Sequence, residues 1–446
     1  MAITAPRGTQ DILPGESYRW QFVERLVLEA ASKYGFQEIR TPTFEQLDLF
    51  CRSVGDTTDV VQKEMFEVKA QKGTDLFALK PEGTAGVVRS AIEKSLLNDA
   101  LPFKACYITP CFRHERPQAG RLREFHQFGC EMFGSKSPSA DVEIISIANH
   151  IFQMLDIKGI ELNINSIGCP TCRADYHRAL KEYFTAKKDV LCGTCLERLD
   201  KNPMRILDCK CPTCQEVAKD APIVLDYLCE DCKTHFDGVQ TRLHTLGIPF
   251  QINTKIVRGL DYYTKTVFEF ISNDIGAQGT ICGGGRYDGL VEQLGGKPTP
   301  ALGFGMGIER LLMLLQAQGI TIPEPRACEL YIGSMGEKAN IKACELTNQL
   351  RAEGFYVECD LMDRSVKAQM KYANKIKAQY SFVLGDNELE TGKANLKDMQ
   401  TSEQKEIDFN NDLMNILYDA MLAREANLIT EQIGEDAFSR ILGMDK

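Results

Sequence analysis

YITPCFRHERPQAGRLREFHQFGCEMFG, residues Tyr107–Gly134, decides how the rest of the chain is read. Tyr107–Arg113 and Phe125–Phe133 both have strand composition, and the loop between them carries Pro117, Gly120, Arg116, Arg121 and Arg123. Side chains alternate across a strand, so Gln127, Gly129 and Glu131 share one face while Phe128, Cys130 and Met132 share the other. The apolar set is core. The polar set puts an amide and a carboxylate on either side of a residue without a side chain, which makes a pocket floor. Arg113, on the partner strand, offers a fork of donors that suits a phosphate. Arginines alone would fit a surface hairpin with solvated charges; the Gln/Gly/Glu face beside them points to a pocket.

Upstream, Tyr18–Tyr34 has helical spacing (Phe22, Leu26, Val27, Ala30, Ala31) and Gly35 suits its stop. Strand-like and turn-rich sequence then runs to about Asn165. Strands and helices do not alternate regularly, which favours an antiparallel α+β domain over a doubly wound sheet. A cysteine-rich segment, about 169–235, interrupts it. The strand pattern resumes at Phe250–Arg258 and Thr264–Ile271, followed by Gly283-Gly284-Gly285-Arg286-Tyr287 and the run Gly303–Arg310. Gly319–Arg326, with Pro323 and Pro325, reads as a linker. A βαβαβ rhythm beyond it predicts a small domain with a largely parallel sheet, then a hairpin over 393–409 and a last helix from about Asp412.

The length of 446 residues sets a prior of about three domains. A net charge of −10 argues against a broad basic surface, so any RNA must bind local basic strips on an acidic body. Met1–Arg7 lacks the apolar core of a signal peptide and no apolar run is long enough to span a membrane, so the cytoplasm is the expected compartment.

Nine of the 17 cysteines fall between Cys169 and Cys232. Four Cys-x-x-Cys pairs, Cys169/Cys172, Cys192/Cys195, Cys211/Cys214 and Cys229/Cys232, leave Cys209 as a ninth. Eight thiolates in this format suit two tetrahedral zinc sites, or one with cysteines to spare, and spacing does not say which pairs combine. The insert has few large apolar residues, so a structural Zn2+ would replace a missing core.

Four segments carry a family resemblance. Phe112-Arg-His-Glu-Arg-Pro-Gln-Ala-Gly-Arg121 resembles motif 2 of class II aminoacyl-tRNA synthetases in its histidyl form. Arg258-Gly-Leu-Asp-Tyr-Tyr263 is similar to the histidine signature of the histidyl-tRNA synthetases, Gly303–Arg310 to motif 3, and Gly35–Pro42 to motif 1. The likeness covers nearly the whole chain. It implies a class II antiparallel sheet flanked by helices: catalytic residues 1–168 and 241–320, an insertion at 169–240, an anticodon-binding domain at 327–425 and a C-terminal extension at 426–446. It also implies activation of L-histidine with ATP and Mg2+, transfer to histidine tRNA, and a homodimer built on motif 1.

By the same resemblance Arg113 grips the α-phosphate, Arg310 the γ-phosphate, and Arg258 bridges the substrate carboxylate and the α-phosphate. Glu82, Gly83, Thr84 and Gln127 would surround the α-ammonium group. Glu131 and Tyr263 would hold the imidazole, and Tyr262 and Tyr287 the walls. Read alone, Thr84 is the N-cap of a helix. Arg116, Gln118, Arg121 and Arg123 are expected at the tRNA acceptor end, with the insert packed nearby. Lys367, Lys371 and Lys375, spaced by four, line one helical face that suits the anticodon arm but is also an ordinary solvated face. Two rivals remain: a non-catalytic histidine-binding regulatory paralogue of ATP phosphoribosyltransferase, which typically lacks the full signature and the C-terminal domain, and a zinc-dependent nucleic-acid-binding module, which leaves the arginines unexplained.

Overall fold

The two-residue period of the strand Glu124–Phe133 sorts its side chains between two surroundings. Phe128, Cys130 and Met132 join the main apolar core, while Gln127, Gly129 and Glu131 face the other way. A computed structural model describes residues 3–433 apart from 56, 57, 59, 70–73, 119, 208, 210, 257, 277 and 278, with side chains as far as 423. Residues 434–446 of the expected C-terminal extension lie outside the described residues.

The chain divides into two units, Met1–Ile322 and Pro323–Lys446. The first is built on an eight-stranded sheet, in the order Gln37–Glu38, Phe103–Phe112, Glu124–Phe133, Ala301–Gly307, Thr280–Arg286, Thr264–Ile271, Glu161–Ser166 and Gln251–Ile252. All neighbours run antiparallel except the two outermost pairs. One face packs on the helices Ser17–Lys33, Pro138–Met154, Glu230–Thr245 and Ile308–Ala317 through Val23, Val27, Ile144, Ile151, Val239, Leu311 and Leu314. Those residues recur at helical spacing, so each helix buries one apolar stripe. Gly35, with φ +78°, ends the first helix as expected.

Four helices, Pro170–Thr185, Gly193–Lys201, Pro212–Val217 and Glu230–Thr245, make up most of the insert. It is not coreless. Tyr176, Leu180, Phe184, Leu199 and Ile206 are buried in the same apolar cluster as Tyr107, Tyr262, Tyr263 and Tyr287 of the catalytic sheet's other face. Buried polar contacts also tie the insert down. Arg286, fully buried, donates to both oxygens of Asp141 at 3.2 and 2.5 Å, and His235 of the last insert helix meets the same carboxylate at 3.1 Å.

The second unit carries a five-stranded sheet ordered Val357–Cys359, Leu330–Ser334, Tyr380–Leu384, Lys393–Asp398, Gln404–Asp408. Its first three strands are parallel and the last two form the expected hairpin. Leu330, Ile332, Ala343, Phe382, Leu384 and Leu413 form its own core.

Candidate active site

Register lays out the site row by row. Tyr107 pairs with Gly129, Gly129 with Gly305, Gly305 with Gly283, and Gly283 with Glu269. Glycines on three adjacent strands leave a bare floor over which side chains from its margins can lie. A Cβ on Gly283 would fall 2.6 Å from the Arg258 guanidinium, and one on Gly129 would fall 2.3 Å from the Tyr107 ring, so a side chain at either position would have to displace that group.

Arg113, Arg258 and Arg310 line one cavity of about 200 Å³ above this floor, together with Arg121, Gln127, Gly283 and Gly305. Arg113 Nε donates to the Pro81 carbonyl at 2.9 Å, and its guanidinium lies 5.4 Å from the Phe125 ring centroid. Arg310 Nε donates to the Gly120 carbonyl at 3.1 Å, and its Nη1 donates to the Thr280 carbonyl. Backbone carbonyls orient both guanidiniums, and the buried Glu115 carboxylate lies 3.9 Å from Arg113 Nη1. Arg258 pairs with Glu269 and sits 5.4 Å from the Tyr263 ring, yet its buried Nε has no hydrogen-bond partner among the described residues. A buried donor of this kind calls for a ligand. Burial, then the neighbouring Arg121, pushes the Arg310 pKa down.

Along the same face the surroundings become dry. Glu131 is fully buried and accepts hydrogen bonds from Thr84 Oγ1 at 2.6 Å, Tyr107 Oη at 3.0 Å and the Tyr287 hydroxyl. Burial pushes its pKa up to about 8, although the Thr84 and Tyr287 hydroxyls work in the opposite direction. The carboxyl is therefore mostly protonated at neutral pH. Glu82, also buried, is likewise raised by desolvation. Gln127 Oε1 accepts the Gly83 N–H at 3.0 Å. Tyr262 and Tyr263 stand 4.7 Å apart by ring centroids, with Tyr287 at 5.5 Å from Tyr262, and complete a three-ring wall.

Thr84 is not the N-cap. It is the first residue of the helix Thr84–Glu93, and the Glu82 carboxylate caps in its place, accepting Thr84 N at 2.8 Å and Ala85 N at 2.7 Å. A longer acid two residues upstream reaches both amides, and the Thr84 hydroxyl is left to donate to Glu131.

The motif 2 loop divides. Arg116 and Gln118 are exposed, whereas Arg121 pairs with the buried Glu115 and Arg123 Nε donates to the Glu115 carbonyl at 3.2 Å. Lys367, Lys371 and Lys375 are all exposed along the helix Val366–Lys375, opposite buried Gln369 and Ala373.

Sequence reasoning missed Tyr107, Glu115, Glu269 and the pair Glu309–His126, in which Glu309 accepts the His126 amide at 2.8 Å and faces its ring nitrogen at 3.0 Å. Glu269 had one available signal, as a lone carboxylate in the apolar strand Thr264–Ile271. Tyr107 had none, because only the register sets it over Gly129.

The insert's thiols converge in two groups, Cys169, Cys172, Cys229, Cys232 and Cys192, Cys195, Cys209, Cys214. Cys211 lies outside the second group, with Cys209 in the fourth place. Cys211 remains at the start of the helix Pro212–Val217, where the Cys214 and Thr213 amides lower its pKa, while Cys209 is buried beside Cys192 at 3.8 Å.

A mostly antiparallel sheet in this strand order is the catalytic fold of the class II aminoacyl-tRNA synthetases. Residues 8–311 match the family described as histidyl-tRNA synthetase, and residues 329–417 match the anticodon binding domain. The chain belongs to the histidyl-tRNA synthetase family. It is 56% identical to a histidine–tRNA ligase of Clostridium novyi over 92% of this chain and 98% of that one. Against a histidine–tRNA ligase of Acetivibrio thermocellus it is 54% identical over 91% and 97%. The solved apo histidyl-tRNA synthetase of S. aureus superimposes with a TM-score of 0.79 at 38% identity, covering 93% of this chain and 100% of that one. A Bacillus halodurans structure described as an ATP phosphoribosyltransferase regulatory subunit/histidyl-tRNA synthetase, 24% identical with a TM-score of 0.60 over 83% of this chain and 97% of that one, shares the fold alone.

Proposed function

We propose that the chain adenylates L-histidine on the glycine floor and passes it to the 3′ end of its tRNA. The activity is that of an aminoacyl-tRNA synthetase, a histidine–tRNA ligase. One observation carries the mechanism: three guanidiniums from distant segments share a cavity, and Arg258 keeps a buried donor unsatisfied beside the sealed Glu131 niche. In adenylation a carboxylate attacks a negatively charged α-phosphate, so fixed cations must draw two anions together. Arg258 holds the histidine carboxylate against the α-phosphate. Arg113 steadies that phosphate, and Arg310 the γ-phosphate of ATP bound with Mg2+. Glu82, Thr84 and Gln127 receive the α-ammonium group near the Gly83 turn. Glu131, with Tyr263, meets the imidazole nitrogens, and its own proton lets it donate or accept as the ring requires. Tyr262 and Tyr287 exclude water.

Exposed Arg116 and Gln118 meet the acceptor end, and the Lys367, Lys371 and Lys375 face of residues 327–425 meets the anticodon arm. Two copies pair through Gly35–Pro42. The insertion 169–240 binds structural zinc. Among the described residues no helix is long and apolar enough to cross a membrane. The work is done in the cytoplasm, beside tRNA. The test is histidine-dependent exchange of labelled pyrophosphate into ATP. Robust exchange is expected with histidine and none with other amino acids; a folded chain that exchanges nothing overturns the reading.

A further inference from the structure

In each thiol group every sulfur lies within 4.8 Å of every other. The pairs Cys169–Cys172, Cys169–Cys229 and Cys192–Cys209 are 3.6, 4.0 and 3.8 Å apart, and every cysteine is free. A disulfide would bring two sulfurs to about 2.05 Å. Four sulfurs each about 2.3 Å from one zinc ion stand about 3.8 Å apart, close to the spacing of these three pairs. Backbone amides point at these sulfurs as they would at thiolates: Cys229 N to Cys172 Sγ at 3.1 Å, Cys192 N to Cys214 Sγ at 3.3 Å, and Cys211 N to Cys209 Sγ at 3.4 Å.

The second group has a further neighbour. Cys195 and Cys209 close a loop that contains Asn202 and the turn Pro203–Ile206. From this loop Arg205 Nη2 donates to the Gly259 carbonyl at 3.0 Å and to Asp261 Oδ1 at 3.1 Å, and Asn202 Nδ2 reaches the same oxygen at 3.4 Å. Ile206, fully buried, packs in the cluster that holds Tyr262 and Tyr263. The loop thus grips the segment that presents Arg258.

We propose that the insert holds two separate zinc ions, one in each four-sulfur group, and that the second ion positions Arg258 for catalysis through Asn202 and Arg205. Only the second half rests on the adenylation reading. Arg205 is a positioning residue: it touches no substrate but holds the Gly259 carbonyl and the Asp261 carboxylate on either side of Leu260. Closing the loop with metal limits its conformations before it docks, and a misplacement of about 1 Å at a reacting group costs roughly a hundredfold in rate.

Elemental analysis of protein purified without added metal is expected to give about two zinc ions per chain. Cys232→Ser and Cys209→Ser are each expected to reduce this to about one, and Cys211→Ser to leave it at about two. About one equivalent or less in the wild type, or zinc lost from Cys211→Ser but kept by Cys209→Ser, overturns the sites as assigned. Arg205→Ala should keep both ions, lower the kcat of pyrophosphate exchange about tenfold and leave the histidine KM within about twofold, with partial rescue by Arg205→Lys. An Arg205→Ala enzyme with unchanged kcat overturns the positioning role. Zinc content is read whether or not the chain exchanges pyrophosphate, so failure of the metal sites and failure of the proposed function are told apart.

Discussion

The arginine cavity and the Glu131 niche share one face of one sheet and differ in what holds their charged groups. Arg113 and Arg310 each donate to a backbone carbonyl, which fixes their direction, and a guanidinium stays charged at any ordinary pH. Glu131 is fastened by hydroxyls in a fully buried setting, where its charge is suppressed. The side chain of Arg258 is still 18% exposed, while Glu131 is 0% exposed. Backbone carbonyls thus orient cations toward charge that develops during reaction, while desolvation, against the pull of the hydroxyls, holds a carboxyl neutral for recognising shape and hydrogen-bond pattern.

The sharpest way to break this contrast is at the cationic end. Arg258→Ala should lower the kcat of pyrophosphate exchange about 10³-fold with only a modest rise in histidine KM, since the lost contact is strongest in the transition state. Exchange near the wild-type rate would sink the role given to this residue. At the niche, Glu131→Gln should raise the histidine KM about 10²-fold, because an amide cannot supply both the acceptor and the proton arrangement the ring needs. An unchanged KM would move the imidazole elsewhere. Gly283→Ala tests the floor between them. Its methyl displaces the Arg258 guanidinium, so kcat should fall about tenfold with little change in KM.

The smallest effect is on stability. Folded Glu131 keeps its proton up to about pH 8, whereas the unfolded carboxyl loses it near the ordinary carboxylate value. The contribution is therefore complete at low pH and is lost as pH rises through this interval. Thermal melts of the ligand-free protein between about pH 5 and 8 should show a declining midpoint that Glu131→Gln flattens. Parallel curves for the two proteins would refute a raised Glu131.

How much of this was legible follows from range along the chain. The alternation in Glu124–Phe133 named its core and pocket faces correctly, because a two-residue period is purely local. Arg113, Arg258 and Arg310 came from three short motifs, and their meeting required the resemblance. Tyr107 over Gly129 and Arg258 over Gly283 depend on strand order and register, which no single segment encodes. Glu82 in place of Thr84 as the cap was a matter of side-chain reach. Cys209 was set aside because Cys-x-x-Cys spacing selects the pair Cys211/Cys214, yet the turn Pro203–Ile206 delivers Cys209 to the group. The insert's core was underestimated because its apolar residues are completed by those of the tyrosine wall.

The central strand Ala301–Gly307 is threaded last, between Glu124–Phe133 and Thr280–Arg286. On the ribosome, everything from Arg113 to Arg258 emerges before the ribbon that must join the two halves of the sheet. Until then the nascent chain has an unfilled slot where its floor will be, with strand edges exposed on both sides. A chain that stopped short of this ribbon would lack both the centre of the floor and Arg310, so its cationic site would be incomplete.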